Sequence, residues 1–175
     1  FTEEMSRKLR AGDSVLITGT IISARDAAHK AMTEALAKGE SLPVDWHDQI
    51  VYYLGPTPAK PGDPIGSCGP TTSGRMDAYT PTMLAQGIKG MVGKGSRSPE
   101  VVDAMKKNGV TYFAAVGGAA ALIAKSVKKY EVVGYPELGP EAVAKLTVED
   151  FPCIVVIDSE GNDFYEIGQK PYRRL

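Results

Sequence analysis

Segments that resemble strands and helices alternate along this 175-residue chain, and this alternation constrains the fold more than any other feature. Short apolar runs bounded by glycine, proline or asparagine predict strands, whereas apolar residues at helical spacing predict helices. We see neither internal repeats nor low-complexity tracts in the pattern. The sequence therefore predicts an α/β fold with a single compact domain that covers residues 1–175.

The first predicted unit is a strand, a turn and a helix. Ser14 to Gly19 forms the strand, and Ser23-Ala24-Arg25-Asp26 matches a capping box with Ser23 as the N-cap. Apolar residues then recur at helical spacing until Gly39, where we expect the helix to stop.

The remaining predicted elements continue this alternation. The predicted strands are Gln49–Leu54, Val110–Val116 and Tyr130–Val133, with a closing hairpin made of Cys153–Asp158 and Asp163–Gly168. The predicted helices run from Thr80 to near Gly87, from Ser98 to Asn108, from Gly118 to Lys128 and from Gly139 to Lys145. The predicted loops are proline-rich Gly55–Gly69 and glycine-rich Gly87–Ser98, and tight strand–helix packing is expected at Gly117-Gly118.

The segment Gly69-Pro70-Thr71-Thr72-Ser73-Gly74-Arg75-Met76-Asp77 carries the strongest chemical signal. Its three consecutive hydroxyl residues lie between two glycines, which permit backbone conformations closed to other residues. The segment would then direct several N–H and O–H donors into one concavity, and Arg75 adds a planar fork that matches a carboxylate. We predict an anion-binding loop, with an ordinary surface loop as the alternative.

Two further loops carry cations close to predicted helix starts. Arg25 lies where the helix dipole disfavours a cation by about 0.3–1 kcal/mol, and a bound carboxylate would reverse that balance. Pairing of Arg25 with Asp26 or another acid is the alternative. Lys94 and Arg97 form a second basic loop, for which a solvated loop is the alternative. The glycine and lysine spacing there does not match a nucleotide-binding P-loop.

Composition limits the class of protein. The net charge of −1 gives no electrostatic reason to expect nucleic acid as a partner. No apolar run approaches the roughly 20 residues that span a bilayer, and no signal peptide is visible. The use of only two cysteines fits a reducing compartment, so we expect a cytoplasmic protein without a membrane partner.

Single residues outside these loops receive simpler interpretations. Cys153 is expected to be a buried small apolar residue, whereas Cys68 precedes the hydroxyl segment and could line the site. His29 is expected to face solvent, and Trp46 to lie in the core or in an interface. Two cysteines cannot hold an iron–sulfur cluster, and no metal site is predicted in this chain.

Three cations and two hydroxyls then form one candidate site, consisting of Arg25, Thr71, Thr72, Arg75 and Lys94. Two or three cations suit a small dianion such as a dicarboxylate. We find no convincing acid–base pair and no nucleophile with a base, so the sequence predicts half of an active site.

The chain closely resembles the iron–sulfur-dependent class I fumarases in their C-terminal domain, which is a separate β subunit in many bacteria and archaea. The resemblance rests on the segment from Gly69 to Asp77, on Gly19-Thr20 with the following Ala24–His29, and on Gly93-Lys94-Gly95. It runs from about Leu9 to Ile167. The β subunit of L-tartrate dehydratase shares the same pattern.

The resemblance implies a swivelling β/β/α domain and the reversible hydration of fumarate to L-malate. It also implies a 4Fe-4S cluster whose cysteine ligands belong to an α subunit, the expected partner. Arg25 and Arg75 would bind substrate carboxylates, Lys94 would add a third cation, and Thr71 and Thr72 would hydrogen-bond the substrate. Thr71 and Lys94 are the candidate catalytic residues, with proton transfer or positioning as alternative roles for Thr71. A tartrate dehydratase subunit and a stand-alone anion-binding module are the alternative functions.

Overall fold

A computed structural model describes residues 1–115 and 118–173 of the chain. Within them the β-strands are Ser14–Ser23 (β1), Ile50–Tyr52 (β2), Gly90–Gly93 (β3), Thr111–Ala114 (β4), Val127–Gly134 (β5) and Val143–Ile157 (β6). They form one mixed sheet in the order β1-β2-β3-β4-β6-β5, and a further pairing of β1 with β6 closes the sheet into a barrel.

Strand direction divides the barrel into two parts. β1, β2, β3 and β4 are mutually parallel, so their carboxyl ends lie at the same end of the barrel. β6 is antiparallel to β1, β4 and β5. Its fifteen residues are long enough to pair with β5 along one half and with β4 along the other, and this length allows the sheet to close.

The helices of the described residues connect these strands. The α-helices are Glu3–Lys8 (α1), Asp26–Ala37 (α2), Thr80–Leu84 (α3), Pro99–Asn108 (α4), Ala120–Ala124 (α5) and Phe164–Ile167 (α6). Short 3-10 helices occupy Ser73–Met76, Pro136–Glu141 and Lys170–Tyr172. No helix within residues 1–115 and 118–173 has the length and apolar character needed to cross a membrane.

Two apolar clusters stabilise the barrel, one on each face of its strands. Neighbouring residues of a strand alternate between them, as Val51 and Tyr52 do on β2. The cluster that contains Tyr52 joins side chains from every strand of the closed barrel. The cluster that contains Val51 includes residues of α2, α3 and α4 and buries Trp46, as expected for a core residue.

Helix α4 shows how local signals were sufficient in part of the chain. The Ser98 side chain accepts a hydrogen bond from Val101 N, and Gly109 ends the helix with left-handed φ and ψ of 63° and 50°. The predicted helix from Ser98 to Asn108 is confirmed, because both ends are set by residues that satisfy helix-terminal backbone groups.

The predicted capping box at Ser23 is wrong. Ser23 is the last residue of β1 and pairs with Tyr52 and Ala144, so its backbone belongs to the sheet. Arg25 is the N-cap of α2, and its side chain makes no capping hydrogen bond. Strand pairing on both sides of β1 overrides the local helix-start signal.

Other predicted boundaries also change where long-range pairing decides them. The helix predicted for Gly139–Lys145 is a 3-10 turn followed by β6, because Gly139 has φ 57° and ψ −122° and the alternating residues beyond it bury one strand face. The predicted strand Asp163–Gly168 is helix α6, capped by the Asp163 side chain, and only Asp163 bridges back to Ile157.

The glycine-rich segment Gly87–Ser98 contains β3, which the sequence did not predict. Gly90 in this strand lies so close to Ile50 and Phe113 that a side chain would not fit, which explains a glycine within a buried strand. Val116 of the predicted strand Val110–Val116 and Gly117 of the predicted Gly117-Gly118 pair lie outside the described residues.

Candidate functional site

The carboxyl ends of three parallel strands place two basic residues and a glycine at one edge of the barrel. Arg25 follows β1, Gly55 follows β2 and Lys94 follows β3. This edge is where ligands bind in open parallel α/β sheets, because the loops beyond the strands are free to vary without disturbing the sheet.

The hydroxyl loop, defined as Gly69–Asp77, lies across this edge through backbone contacts. Pro70 forms a β-bridge with Leu54, and Thr71 N donates to Tyr53 O over 2.9 Å. Ser73 N then donates to Lys94 O over 2.9 Å. The loop is therefore attached to the strand ends of both β2 and β3, which brings Thr71 and Thr72 to the same edge as Lys94.

A buried hydroxyl network fixes the loop from below. Ser73 Oγ accepts a hydrogen bond from Lys94 N over 3.1 Å and lies 2.9 Å from Tyr112 OH. Tyr112 OH donates to Gly95 O over 2.9 Å, so Ser73 Oγ must donate its own proton to Tyr112. Sequence reasoning missed Tyr112, because an apolar strand pattern gives no signal that one of its side chains reaches a distant loop.

Arg25 and Arg75 meet at one carboxylate, that of Asp26. Arg75 Nε lies 2.9 Å from Asp26 Oδ1, and Arg25 Nη2 lies 3.6 Å from Asp26 Oδ2. Arg25 Nε also lies 3.5 Å from Oε1 of Glu141, the last residue of the 3-10 helix before β6. The pairing of Arg25 with acids, which the sequence left as an alternative, is thus observed, and it joins Arg25 to the second candidate arginine.

The candidate residues differ in their access to solvent. Thr71 is half-buried, whereas Thr72, Arg75 and Lys94 are exposed. Thr72 pairs with Lys94 in a β-bridge, and Arg75 pairs with Asp26. Since Thr72 and Arg75 are three residues apart on the hydroxyl loop, the loop connects the two pairs.

Close packing explains two of the three glycines at this edge, Gly69 and Gly55, but not Gly74. Neither Gly69 nor Gly74 has a positive φ, so neither uses the conformational freedom that glycine permits. A Cβ at Gly69 would lie 3.0 Å from Ala120 Cβ, whereas at Gly74 it would find ordinary contacts. At Gly55 a Cβ would lie 2.5 Å from Arg25 Nη1, so the guanidinium of Arg25 packs directly over the bare Gly55 backbone.

Arg97 does not lie in a solvated loop; its side chain is fully buried. The guanidinium lies 5.2 Å from the ring centroids of both Tyr53 and Tyr112, and Nε donates to Asp77 Oδ1 over 2.7 Å. Nη2 donates to Thr80 Oγ1 over 2.8 Å. Nearby Tyr53 and Asp77 raise the pKa of Arg97 despite burial. Arg97 therefore anchors the end of the hydroxyl loop.

His29 is buried, not exposed as the sequence predicted. Its ring packs edge to face on Tyr53, with centroids 5.5 Å apart, and its Nδ1 donates to Arg25 O over 2.9 Å. Burial lowers the pKa of His29 to about 4, so the ring is neutral at physiological pH. His29 is therefore a neutral buried residue that hydrogen-bonds the backbone of Arg25.

The thiols of this chain do not fit a metal centre. Cys68 and Cys153 are buried and unpaired, and burial raises the pKa of each thiol to about 12. Cys153 is the buried apolar residue that was expected, and Cys68 Sγ faces Ala120 O. Among residues 1–115 and 118–173 no group of three or more His, Cys, Asp or Glu is placed to hold a metal. The donors present therefore do not fit an iron–sulfur cluster.

The fold is an α/β domain, and one edge of its barrel carries arginines, a lysine and hydroxyls, the side chains that suit a small anion. Comparison with known proteins gives the family. The chain belongs to the family described as fumarase C-terminus, whose model matches residues 1–168.

Named relatives include complete fumarases and a separate subunit. The chain is 47% identical over 152 residues to the aerobic class I fumarate hydratase of Salmonella typhimurium, covering 86% of this chain and 26% of the relative. It is 45% identical over 156 residues to fumarate hydratase 2 of Leishmania major, covering 88% and 28% respectively. It is 42% identical over 181 aligned positions to a Methanocaldococcus jannaschii protein, covering 99% and 93%. The name of that protein provisionally assigns it as the L(+)-tartrate dehydratase beta subunit.

The relatives differ in how much of their length this chain represents. The chain spans only about a quarter of the fumarate hydratases that it matches first, and nearly all of the Methanocaldococcus protein. The similarity to the fumarate hydratases therefore covers only about a quarter of their length.

Proposed function

We propose that this chain supplies the dicarboxylate-binding part of a class I fumarase-type hydro-lyase, which reversibly hydrates fumarate to L-malate. One observation carries the proposal: Arg25 and Arg75 meet at Asp26 beside the hydroxyl loop, at the carboxyl ends of parallel strands. Membership of the fumarase C-terminus family supports it.

The basic residues would bind and orient the substrate. Arg75 is half-exposed and offers a planar fork for one carboxylate, and Arg25 is held close by. Lys94, fixed at the end of β3 by its backbone contacts with Ser73, would add a third cation at the same edge of the barrel. Together these residues would orient a planar C4 dicarboxylate relative to the hydroxyls.

Thr71 and Thr72 would form hydrogen bonds with the substrate. Thr71 is the candidate for proton transfer, and Lys94 is the candidate cation to support it. An alkoxide is a poor resting base at neutral pH, so the Thr71 hydroxyl requires activation by nearby positive charge. A purely positioning role for Thr71, with the acid or base supplied by the partner, is the alternative.

The 4Fe-4S cluster that this family implies would be held outside this chain, because Cys68 and Cys153 do not fit it. We assign the cluster to a cysteine-bearing α subunit or to an equivalent fused segment. The whole activity then requires that partner, and the pair would act in the cytoplasm.

The finer description of the fold belongs to the same proposal. The closed mixed barrel with helices is consistent with a swivelling β/β/α domain, in which residues 1–175 form one unit that docks against the cluster-bearing partner. The site on this chain would face that partner, because the proposed chemistry requires groups from both.

L-tartrate dehydratase is the second candidate function. Its support is the Methanocaldococcus relative, which this chain matches over almost its whole length. Tartrate is also a C4 dicarboxylate, so the same three cations suit it. A stand-alone anion-binding module is the third candidate.

The deciding experiment is anaerobic co-expression with the neighbouring cysteine-rich subunit, cluster reconstitution, and an ultraviolet assay on fumarate, L-malate and L-tartrate. Turnover of fumarate and malate that neither subunit shows alone would support the fumarase proposal. Turnover of L-tartrate alone would identify L-tartrate, and not fumarate, as the substrate. No turnover of any of the three compounds with an intact cluster would overturn the proposal that this chain is part of an enzyme. An anion-binding domain would then be the remaining candidate.

A further inference from the structure

The carboxylate of Asp26 bridges two guanidinium groups that would otherwise repel each other. One oxygen faces Arg75 Nε at 2.9 Å and the other faces Arg25 Nη2 at 3.6 Å. The Asp26 side chain is only 26% exposed, so solvent screens this interaction less than it screens a surface ion pair. Asp26 therefore has the geometry of a shared counter-ion.

The contact with Arg75 leaves the binding fork of that arginine available. Asp26 lies closest to Nε, on the stem side of the guanidinium, so the two terminal Nη atoms lie farther from this carboxylate. Because 54% of the Arg75 side chain is exposed, a ligand carboxylate can reach the terminal atoms without displacing Asp26.

Arg25 is enclosed on three sides. Asp26 faces Nη2, Glu141 faces Nε, and the bare backbone of Gly55 lies under Nη1. Arg25 Nε, Asp26 Oδ2 and Glu141 Oε1 are also buried without a hydrogen-bond partner, together with only one other such atom among the described residues. Groups of this kind are costly to bury, which sets this cluster apart from the rest of the described chain.

We infer that Asp26 is a positioning residue, which holds Arg25 and Arg75 in the fixed relative arrangement that binds a dicarboxylate. The inference rests on the proposed function, because it assigns to both arginines a role in ligand binding. Glu141 forms an ion pair with Arg25 and so serves as a comparison that affects this arginine alone. Asp26 does not touch the ligand in this arrangement.

The charge of Asp26 makes the inference testable by the sign of an effect. If Asp26 merely competed with the ligand for the arginines, Asp26→Asn would strengthen anion binding, because the site would gain positive charge. If Asp26 positions the arginines, the same variant weakens binding, because the two guanidinium groups separate once the shared counter-ion is neutral.

Succinate, a dicarboxylate that cannot be hydrated, is the probe for this test. We would titrate succinate into the isolated chain by calorimetry for the wild type, Asp26→Asn and Asp103→Asn. Asp103 is a largely exposed acid paired with Lys106, so its variant carries the same change in net charge away from the site. We expect a Kd at least about tenfold weaker for Asp26→Asn and an unchanged Kd for Asp103→Asn. An equal or tighter Kd for Asp26→Asn would overturn the inference.

A spectroscopic measurement checks the positioning itself without relying on affinity. The Nε–Hε NMR signals of Arg25 and Arg75 report on the contacts of each guanidinium. We expect both signals to lose their dispersion in Asp26→Asn, and only the Arg25 signal to move in Glu141→Gln. An Arg75 signal that stays unchanged in Asp26→Asn would overturn the positioning role even if binding were weaker.

Steady-state kinetics in the reconstituted complex separate this inference from the proposed function. With an active wild-type complex, Asp26→Asn should raise KM by about tenfold or more and change kcat much less. A loss confined to kcat would overturn the inference and leave the fumarase proposal standing. An inactive wild-type complex whose isolated chain still shows the succinate and NMR effects would overturn the enzyme proposal alone. Absence of succinate binding by the wild-type chain would overturn the inference.

Discussion

Arg97 Nε donates to Asp77 Oδ1 over 2.7 Å, and this buried pair fixes the end of the hydroxyl loop to the start of α4. The other Asp77 oxygen accepts from Ser98 N over 2.7 Å. One carboxylate thereby connects Gly69–Asp77 with the residue that caps the next helix. The hydroxyl loop thus depends on a charge pair that is largely shielded from solvent.

Removing Arg97 should therefore be costly for stability. Arg97→Met leaves the Asp77 carboxylate, which is 16% exposed, without its counter-ion, and we expect the free energy of unfolding to fall by about 3–5 kcal/mol. Denaturant unfolding of the isolated chain measures this loss. Lys106→Met removes an exposed cation that pairs with Asp103, and its cost should stay within about 1 kcal/mol. Similar losses for both variants would contradict the buried role of Arg97.

Gly55 should tolerate no side chain without loss of function. A Cβ at Gly55 would lie 2.5 Å from Arg25 Nη1, and since this atom is the far end of a flexible side chain, the arginine would move and the fold would remain. We expect Gly55→Ala to lower kcat/KM in the reconstituted complex by about tenfold, on the order of 1.4 kcal/mol. Its thermal midpoint should stay close to that of the wild type. Wild-type kinetics would show that Arg25 does not act from its observed position.

Replacing Arg75 by lysine should reduce activity although the charge is kept. Lysine cannot provide the planar fork, so we expect kcat/KM to fall by about tenfold or more, that is about 1.4 kcal/mol or above. The comparison is Arg10→Lys, a change of the same type at an exposed arginine that pairs with Glu160. Equal kinetics for the two variants would remove Arg75 from the proposed site.

Thr71→Val distinguishes proton transfer from binding. The backbone of Thr71 is held by its hydrogen bond to Tyr53 O, which valine also makes, so only the hydroxyl is lost. If Thr71 transfers a proton, kcat should fall by about 10²-fold or more while KM changes little. A change confined to KM would make Thr71 a binding residue. Thr82→Val, at an exposed position of α3, controls for the loss of a threonine hydroxyl.

The buried His29 predicts a loss of stability in acid. Burial lowers its pKa from 6.5 to about 4, so the unfolded chain binds the proton first as the pH falls. The contribution of the neutral His29 to the free energy of unfolding is complete above pH 6.5. It is lost as the pH falls towards 4, and the loss amounts to up to about 3 kcal/mol. Unfolding free energies measured between pH 4 and 7 should decline more steeply for the wild type than for His29→Asn. Parallel curves would contradict the low pKa of His29.

The sequence determined the features that depend on neighbouring residues. Both ends of α4 follow from Ser98 and Gly109, which satisfy backbone groups within one turn. The alternation of strands and helices gave the α/β class, and the segment Gly69–Asp77 identified the loop that crosses the barrel edge. The family resemblance followed from the same local residues and is confirmed.

Only the tertiary structure decided the features that depend on distant residues. Ser23 lies in a strand, not at a helix start, because Tyr52 and Ala144 pair with it from two sides. His29 and Arg97 are polar residues that sequence patterns place in solvent, yet Tyr53 packs against both in the interior. Asp26 contacts Arg75 only because folding brings that arginine to it from 49 positions away. Local propensity cannot report such contacts, because their free energy comes from burial and charge pairing between segments that are remote in the chain.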